Sequence, residues 1–349
     1  MIAVFVMVCN QYTTAQSDTI STSDEGMKYV HHQKESILDH LIDTKMSSLE
    51  IETDLEELFM DRKYKKYKKA VATFTFENDE TWTDSLEVKV RGVYRAINCD
   101  NPPIKIKYSK KLLKKRGLKK RNEYKLVYPC ENSEEYQNYI YKEYLIYKMY
   151  NELTDKSLRV HLVDLTLKDA AQKRDNIQVA GFLIEHRDEI TKRLDAIKYD
   201  TRCLTYTDKM SSGDNTLLEV FQYMIGNLDY VIENCKNIEL VQMADSTIVP
   251  VPFDFDYTGF VNPSYAVPAS KYHQKTLQDR FFKGQNKSLA ELQPIIELFK
   301  EKKQTFIDLI NNFDNLPKKE RKAMIYYMKS FYSVIERPKK VKRVFVEAE

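Results

Sequence analysis

The feature that most constrains the fold is a change of pattern along the chain, from strand-like alternation to helical periodicity. Residues 71–76 are β-branched and aromatic, while residues 86–91 and 104–108 alternate apolar and charged side chains, as half-buried strands do. Residues 159–167 and 178–185 are two further strand patterns separated by a charged turn, which predicts an antiparallel hairpin.

Helical patterns interrupt these strands once and dominate the chain after residue 188. Ser133 or Asn132 can cap a helix that has Glu134 and Glu135 in its first turn and continues to Tyr150. Further helices are predicted for residues 217–225, 289–313 and 318–335. Strands, one helix, a hairpin and then helices predict an α+β fold with a sheet-rich lobe and a helical lobe.

Acidic and amide side chains gather after the apolar helical segment that ends at Gly226-Asn227-Leu228-Asp229. Asn234 and Asn237 follow, and the strand-like run at 249–256 then contains two further aspartates. Phosphoryl transfer uses this arrangement, because one aspartate orients the attacking hydroxyl while an asparagine and a later aspartate hold magnesium. The pattern therefore predicts a site for ATP and Mg²⁺.

Asp254 and Asp256 are two residues apart, so both carboxylates point to one face if the segment is extended. Two like charges side by side repel, and a bound cation relieves that cost. The alternative interpretation is that the pair belongs to a turn before Gly259.

The charge of the chain is nearly balanced, at +3 over 349 residues, so it indicates no partner by itself. Residues 105–125 nevertheless contain eleven basic residues and one acid, Glu123. Such a run favours phosphates or an acidic partner, although a solvated helix face is the commoner explanation. Since the aromatic and glycine signature of an RNA-binding sheet is missing, we expect no nucleic-acid partner.

The N-terminal residues predict an exported protein. Residues 2–9 are apolar and Thr13-Thr14-Ala15 provides small residues at the cleavage positions, which is typical of a signal peptide over residues 1–15. Lipid anchoring at Cys9 is an alternative that the large Val8 disfavours. No later segment has the apolar length of a membrane span.

Four cysteines would remain after cleavage, which permits two disulfides with three pairings. We favour Cys99 with Cys130, because they bracket a strand and the basic loop, and Cys203 with Cys235. The spacing of Cys and His residues gives no zinc signature.

Three segments follow the signal peptide in the predicted organisation. Residues 16–69 are a polar extension with a helix through residues 37–59, residues 70–186 are a lobe with a sheet and one helix, and residues 187–349 are a helical lobe.

The order of several blocks resembles the CotH family, the atypical spore-coat kinases and their exported relatives. The blocks are Lys89-Val90-Arg91-Gly92 with Arg95, residues 102–107, residues 124–127, residues 181–185, Asn227-Leu228-Asp229 and Asp254-Phe255-Asp256. The resemblance covers about residues 86–268 and implies a two-lobed protein-kinase-like fold, with an antiparallel sheet in the N-lobe.

The resemblance also implies roles for individual residues at an ATP site. Lys105 or Lys107 would contact the α- and β-phosphates, and Glu143 would hold that lysine in an ion pair. Arg91 would supply a guanidinium to the phosphates, and Glu185 would lie in the segment that joins the lobes beside adenine.

The catalytic base implied by the resemblance is Asp229, with Mg²⁺ held by Asp254, Asp256 and either Asn234 or Asn237. The expected function is Mg²⁺-dependent transfer of phosphate from ATP to serine or threonine hydroxyls of a protein substrate.

Two departures from this pattern keep alternatives open. The chain has no GxGxxG loop, and Tyr230-Val231-Ile232 stands where HipA-type kinases carry a histidine. A catalytically inactive relative with a structural or surface-assembly role, or transfer of the nucleotide in place of the phosphoryl group, are the rival interpretations.

Overall fold

A computed structural model describes residues 35–199 and 209–347 of the chain. These residues form ten strands and ten α-helices. The strands are β1 (Met46–Thr53), β2 (Lys68–Phe76), β3 (Thr81–Val90), β4 (Ile104–Tyr108), β5 (Glu123–Val127), β6 (Val160–Asp169), β7 (Ile177–Ile184), β8 (Ile197–Lys198), β9 (Ile238–Gln242) and β10 (Ile248–Pro252). The helices are α1 (Ile37–Asp43), α2 (Leu55–Met60), α3 (Tyr94–Asn98), α4 (Lys110–Lys115), α5 (Glu134–Leu153), α6 (Arg187–Arg193), α7 (Ser212–Ile225), α8 (Leu289–Asn311), α9 (Lys318–Ile335) and α10 (Pro338–Val341).

A closed barrel of seven strands, in the order β1-β2-β3-β4-β5-β7-β6, is the main feature of the described residues. Neighbouring strands are antiparallel except β1 and β6, which run parallel with Ser48 opposite Asp164. Buried and exposed side chains alternate along the barrel strands. In β2, Ala72 and Phe74 are fully buried, whereas Val71, next to Ala72 in sequence, is exposed.

The predicted two-lobed, kinase-like fold is wrong, and β1 is the reason. Without β1, strands β2 and β6 would be the open edges of a sheet. Glu50 pairs with Thr73 of β2 and with Thr166 of β6, so β1 joins both edges and closes the sheet into a barrel. The helix expected through residues 37–59 is instead two short helices on either side of β1.

Other local predictions agree with the structure. The predicted hairpin is β6 and β7, paired antiparallel from Val160 opposite Ile184 onward. Helix α5 begins at Glu134, and the Ser133 hydroxyl accepts a hydrogen bond from the Tyr136 amide at 3.3 Å. The remaining long helices are α7, α8 and α9, as their apolar periodicity indicates.

The described residues form two large apolar cores and a smaller third cluster around Leu218, Ile238 and Leu240. One fills the barrel, and the other lies among α5, α7, α8 and α9 and the three-stranded sheet β10-β9-β8. Phe182 of β7 is fully buried and belongs to the helical core, where it contacts Tyr144 and Tyr147 of α5. Helix α5 therefore packs against the barrel on one side and the helices on the other.

None of the helices in the described residues is long and apolar enough to cross a bilayer.

Candidate functional site

Backbone hydrogen bonds hold together the two acidic segments that the sequence separates. Helix α7 ends at Gly226, whose left-handed φ of 66° turns the chain toward Asp229. The Gly259 amide donates to the Gly226 carbonyl at 3.1 Å, and Asn227 and Thr258 form an antiparallel bridge. A methyl group on Gly226 would lie 2.2 Å from the Tyr327 hydroxyl, so glycine is required by both conformation and space.

Asp254 has a backbone conformation that residues other than glycine adopt less often. Strand β10 ends at Pro252, so the two aspartates are not on the extended segment that the sequence suggested. Asp254 has a left-handed φ of 65°, and its amide donates to the buried Tyr147 hydroxyl at 2.9 Å. A non-glycine residue in this region costs about 1–3 kcal/mol, and such strain concentrates at functional sites. The side chain of Asp254 is exposed, so a ligand can reach its carboxylate.

Three carboxylates face one another where these segments meet α5. Glu143 is 1% exposed, and its Oε2 atom has no hydrogen-bond partner among the described residues. Burial, followed by the charges of Asp256 and Asp254, raises the pKa of Glu143 well above its usual range. Burial and the neighbouring Asp254 also raise the pKa of Asp256 to about 6. The Asp256 Oδ2 atom accepts a hydrogen bond from the Tyr265 hydroxyl at 3.2 Å.

Positive side chains from the barrel face these acids. Arg91 follows β3, and its Nε atom is buried without a hydrogen-bond partner in the described part of the chain. Arg95, on α3, donates to the Tyr128 carbonyl at 2.9 Å. Burial would lower the pKa of Arg95, but Asp256 and other nearby acidic groups raise it on balance.

Lys125 is the third cation, and it comes from β5. Burial and the charge of Arg91 lower its pKa, while Asp254 opposes them. Its Nζ atom lies 4.7 Å from the centre of the Phe253 ring, and within residues 35–199 and 209–347 it forms no ion pair. We use the name charged cluster for six residues: Arg91, Arg95, Lys125, Glu143, Asp254 and Asp256.

Lys105 and Lys107, the predicted phosphate ligands, are already paired with acids on the outer face of the barrel. Lys105 Nζ lies 2.9 Å from Glu123, and Lys107 Nζ lies 2.8 Å from Glu87. Lys125 is directly opposite Lys105 on the neighbouring strand. Like charges in such positions repel, and Glu123 neutralises the charge of Lys105. Lys125 has no such ion pair among the described residues, so its amine can bind an anion. The predicted ion pair of Glu143 with Lys105 or Lys107 is not formed.

Asp229 lies beside the charged cluster and contributes to the raised pKa of Asp256. Its Oδ2 atom accepts a hydrogen bond from the Asn237 side chain at 3.1 Å, and its Oδ1 atom forms an ion pair with Lys236. Asn234 is exposed and accepts a hydrogen bond from the Lys236 amide. Of the two asparagines, the structure therefore places Asn237 with Asp229.

Glu185, the predicted neighbour of adenine, has a different environment. Its side chain is fully buried between two guanidinium groups, 2.8 Å from Arg159 and 2.9 Å from Arg193. Its Oε2 atom also accepts from the Arg159 amide at 3.1 Å. These partners satisfy the carboxylate, so Glu185 joins β6, β7 and α6 structurally.

The carboxylates of the charged cluster could hold Mg²⁺ together with a bound phosphate group. Within residues 35–199 and 209–347, no three His, Cys, Asp or Glu side chains are placed to hold a metal ion by themselves. Mg²⁺ commonly binds through one or two carboxylates together with substrate phosphates and water, so such a cage is not needed. Asp254 and Asp256 can supply those carboxylates, and a cation nearby would suit the buried Glu143 oxygen, which has no hydrogen-bond partner among the described residues.

The Cys99–Cys130 disulfide holds the loop that carries both arginines. This predicted pairing is confirmed, and it links the end of α3 to the segment between β5 and α5. The Asn101 amide donates to the Cys130 carbonyl at 2.9 Å, which reinforces the link. Cys203 lies outside the described residues, so its pairing with Cys235 stays a prediction.

Two cluster members, Lys125 and Arg95, were missing from the predicted site. The alternation of β5, in which Tyr124 and Leu126 are buried, is a signal that places Lys125 on the same face as Lys105. Arg95 follows Arg91 by four residues, but a loop and a short helix carry no periodicity that shows where the two side chains point.

A cavity of about 990 Å³ lies elsewhere, lined by Ser85, Tyr108, Asn122 and other residues of the barrel strands. None of its lining residues belongs to the charged cluster, so its size does not bear on the chemistry of that cluster.

Comparison with protein-family models and with curated protein sequences gives no significant match to this chain. The likeness to the CotH family therefore rests on the sequence blocks quoted above.

A pH-dependent stability is expected from Asp256. Because its pKa in the folded protein is about 6, above the usual 3.8, the folded state holds this proton more tightly than the unfolded state. The stabilisation is complete below the usual pKa and is lost as the pH rises through about 6. Asp256→Asn should therefore raise the melting temperature by a few degrees at about pH 7.5 and have little effect at about pH 4.

Thermal unfolding in the presence of EDTA measures this difference. Asp175→Asn, in the exposed turn between β6 and β7, is the matched control and should change neither value. An equal effect of Asp256→Asn at both pH values would contradict the assignment.

Proposed function

We propose that the protein is an exported, Mg²⁺-dependent phosphotransferase that uses ATP and acts on serine or threonine hydroxyls of proteins, with the site chemistry that the resemblance to the CotH family implies. The observation that carries the proposal is the charged cluster, in which three acids face three cations and buried atoms of Glu143 and Arg91 lack partners among the described residues. The proposal concerns the chemistry of this cluster and does not depend on a kinase-like fold.

The cations of the cluster suit a triphosphate. Arg91 and Arg95 present guanidinium groups, which bind phosphate oxygens through two parallel hydrogen bonds, and Lys125 adds a point charge. Burial disfavours all three charges, so an anionic ligand between them lowers the cost of holding them together.

The acids of the cluster suit the cation that accompanies ATP. Asp254 and Asp256 would hold Mg²⁺, which when bound neutralises negative charge on the phosphates. Glu143 is buried near both arginines and both aspartates, and burial together with the charges of Asp256 and Asp254 favours its neutral form. Tyr265 holds Asp256 in place through its hydroxyl.

Asp229 is the proposed acceptor of the proton from the attacking hydroxyl. Asn237 donates to Oδ2 of Asp229 at 3.1 Å and to its backbone carbonyl at 2.7 Å, which orients the carboxylate. Lys236 is half exposed, so its ion pair with Asp229 is weak and can open when a substrate binds.

Export is supported by the disulfide. Cys99–Cys130 would be reduced in most cytosolic compartments, whereas it persists in an oxidising exterior. The apolar N-terminal segment expected to direct export lies outside the described residues.

The test measures nucleotide binding through its effect on thermal stability. ATP with Mg²⁺ at about 100 times its dissociation constant should add about 2.7 kcal/mol to the free energy of unfolding. Asp254→Asn should remove this gain, while Asp175→Asn, at an exposed turn, should keep it. Absence of stabilisation in the unaltered protein would overturn the proposal.

A second candidate function is a surface-assembly protein that binds nucleotide without chemistry. The ion pair between Lys236 and Asp229 favours it, because the amine occupies the Oδ1 atom of the proposed catalytic carboxylate. Stabilisation by Mg²⁺ and ATP without any labelling of protein would support this candidate. Label transferred from the α-phosphate and not from the γ-phosphate would instead indicate nucleotidyl transfer.

A further inference from the structure

The loop that carries the two arginines also exposes apolar side chains to solvent. Arg95 of α3 belongs to the charged cluster, and its positive charge acts to lower the pKa of Asp256, so this helix lies against the cluster. Val93, Tyr94 and Ile97 of the same loop are 77%, 72% and 67% exposed. Three large apolar side chains exposed within five residues are unusual beside a polar site, and such patches mark interaction surfaces.

A basic segment lies directly against this loop. Arg62 donates through Nη1 to the carbonyls of Ile97 at 3.0 Å and Cys99 at 2.9 Å, and the Lys65 amine donates to the Gly92 carbonyl. Tyr64, which is 71% exposed, has the amines of Lys63 and Lys66 at 5.5 and 5.8 Å from its ring centre. We use the name rim surface for six residues: Lys63, Tyr64, Lys66, Val93, Tyr94 and Ile97.

The rim surface has positive charge that no carboxylate in the described part of the chain neutralises. Within the described residues, Lys63 and Lys66 form no ion pair with a carboxylate, in contrast to Lys68 of the same segment, which lies 2.6 Å from Glu57. Apolar side chains and free lysines on adjoining segments complement a partner that is both acidic and apolar.

We infer that the rim surface binds an acidic protein segment with apolar side chains, and that this segment carries the hydroxyl acceptor; the assignment of the acceptor rests on the proposed function. Tyr94 and Arg95 are consecutive residues, one exposed on the rim and one facing the cluster. A segment bound on the rim therefore reaches the cluster with few residues, since an extended chain covers about 3.3–3.6 Å per residue.

A protein segment fits these observations better than a membrane surface. Membrane-surface binding relies on an amphipathic helix that lays a continuous apolar face into the bilayer. Here the apolar residues come from a five-residue helix and two loops, so their area is small. Side chains of this kind match the alternating contacts of an extended peptide.

The experiment measures binding of a fluorescent synthetic peptide in which glutamate and leucine alternate around one serine. Fluorescence anisotropy should show salt-dependent binding to the full protein and much weaker binding of the same peptide with lysine in place of glutamate. Lys63→Glu with Lys66→Glu should weaken binding by about tenfold or more, and so should Tyr94→Ser with Ile97→Ser.

The matched control is Lys110→Glu with Lys111→Glu, an equal change of charge on exposed residues of α4, which should leave binding unchanged. Equal affinity for both peptides would overturn the inference, and so would a loss of affinity in the control variant equal to that in the rim variants. Stronger binding to phosphatidylcholine vesicles containing phosphatidylserine than to the peptide would overturn it in favour of a membrane surface.

Thermal stabilisation by Mg²⁺ and ATP, measured on the same proteins, separates this inference from the proposed function. Stabilisation by Mg²⁺ and ATP, together with equal affinity for the glutamate and lysine peptides, overturns the rim-surface inference alone. Selective peptide binding without stabilisation overturns the proposed phosphotransferase and the acceptor assignment, and confirms the rim as a surface for acidic segments. All four rim substitutions replace exposed side chains, so the variants should melt at the temperature of the unaltered protein.

Discussion

Replacing Asp229 by asparagine is expected to slow phosphoryl transfer by about two to four decades, because the amide cannot take the proton of the attacking hydroxyl. The asparagine side chain has nearly the same shape and can still contact Asn237. The fold and the binding of nucleotide should therefore be preserved. Transfer of label from γ-labelled ATP, in the presence of Mg²⁺, measures the rate.

Thermal stabilisation by Mg²⁺ and ATP is the control for this variant. Asp229→Asn should retain it, whereas Asp254→Asn should lose both stabilisation and transfer, since Asp254 is the proposed ligand of the cation. Transfer at an unchanged rate in Asp229→Asn would remove this residue from the mechanism. Lys236→Ala should leave the rate within about tenfold, because its exposed ion pair is weak.

Removing the disulfide is expected to cost about 3–4 kcal/mol of the free energy of unfolding. Cys99 and Cys130 are 31 residues apart, and opening this loop restores conformational freedom to the unfolded chain. The double variant Cys99→Ser with Cys130→Ser should also bind ATP less tightly, because Arg91 and Arg95 lie on the loop that the disulfide holds. Urea denaturation measures the first effect and nucleotide titration the second.

Reduction provides the matching control. Dithiothreitol should destabilise the unaltered protein by a similar amount and leave the double variant unaffected. A variant as stable as the unaltered protein would show that the surrounding contacts, including the Arg62 bonds to the carbonyls of Ile97 and Cys99, hold the loop without the disulfide.

Local patterns predicted most strands and long helices but not how the sheet closes. Leu49 and Ile51 point into the barrel, and Leu55 and Leu58 continue the apolar series in α2. Such a series, read as one run, resembles helical spacing and hides the strand β1. Its parallel pairing with β6 joins distant segments, and no local signal reports such contacts.

The acidic half of the site was more predictable than the basic half. Asp229, Asp254 and Asp256 follow the ends of a helix and a strand, so their order along the chain was enough to group them. Choosing among the strand lysines requires knowing which acids lie opposite. Lys107 lies opposite Glu87 of β3 on one side and Glu123 of β5 on the other, and only the register of the sheet shows this.

The parallel pairing of β1 with β6 also constrains when the chain can fold. Ser48 cannot meet Asp164 until β2 to β5 and α5 have been synthesised, so the barrel cannot close before the chain has grown to the end of β7 at Ile184. A shorter nascent chain can pair β1 with β2 but leaves β1 without its second partner, so the sheet stays open. If the chain crosses a membrane before these strands pair, the compartment that oxidises Cys99 and Cys130 is also where the barrel closes.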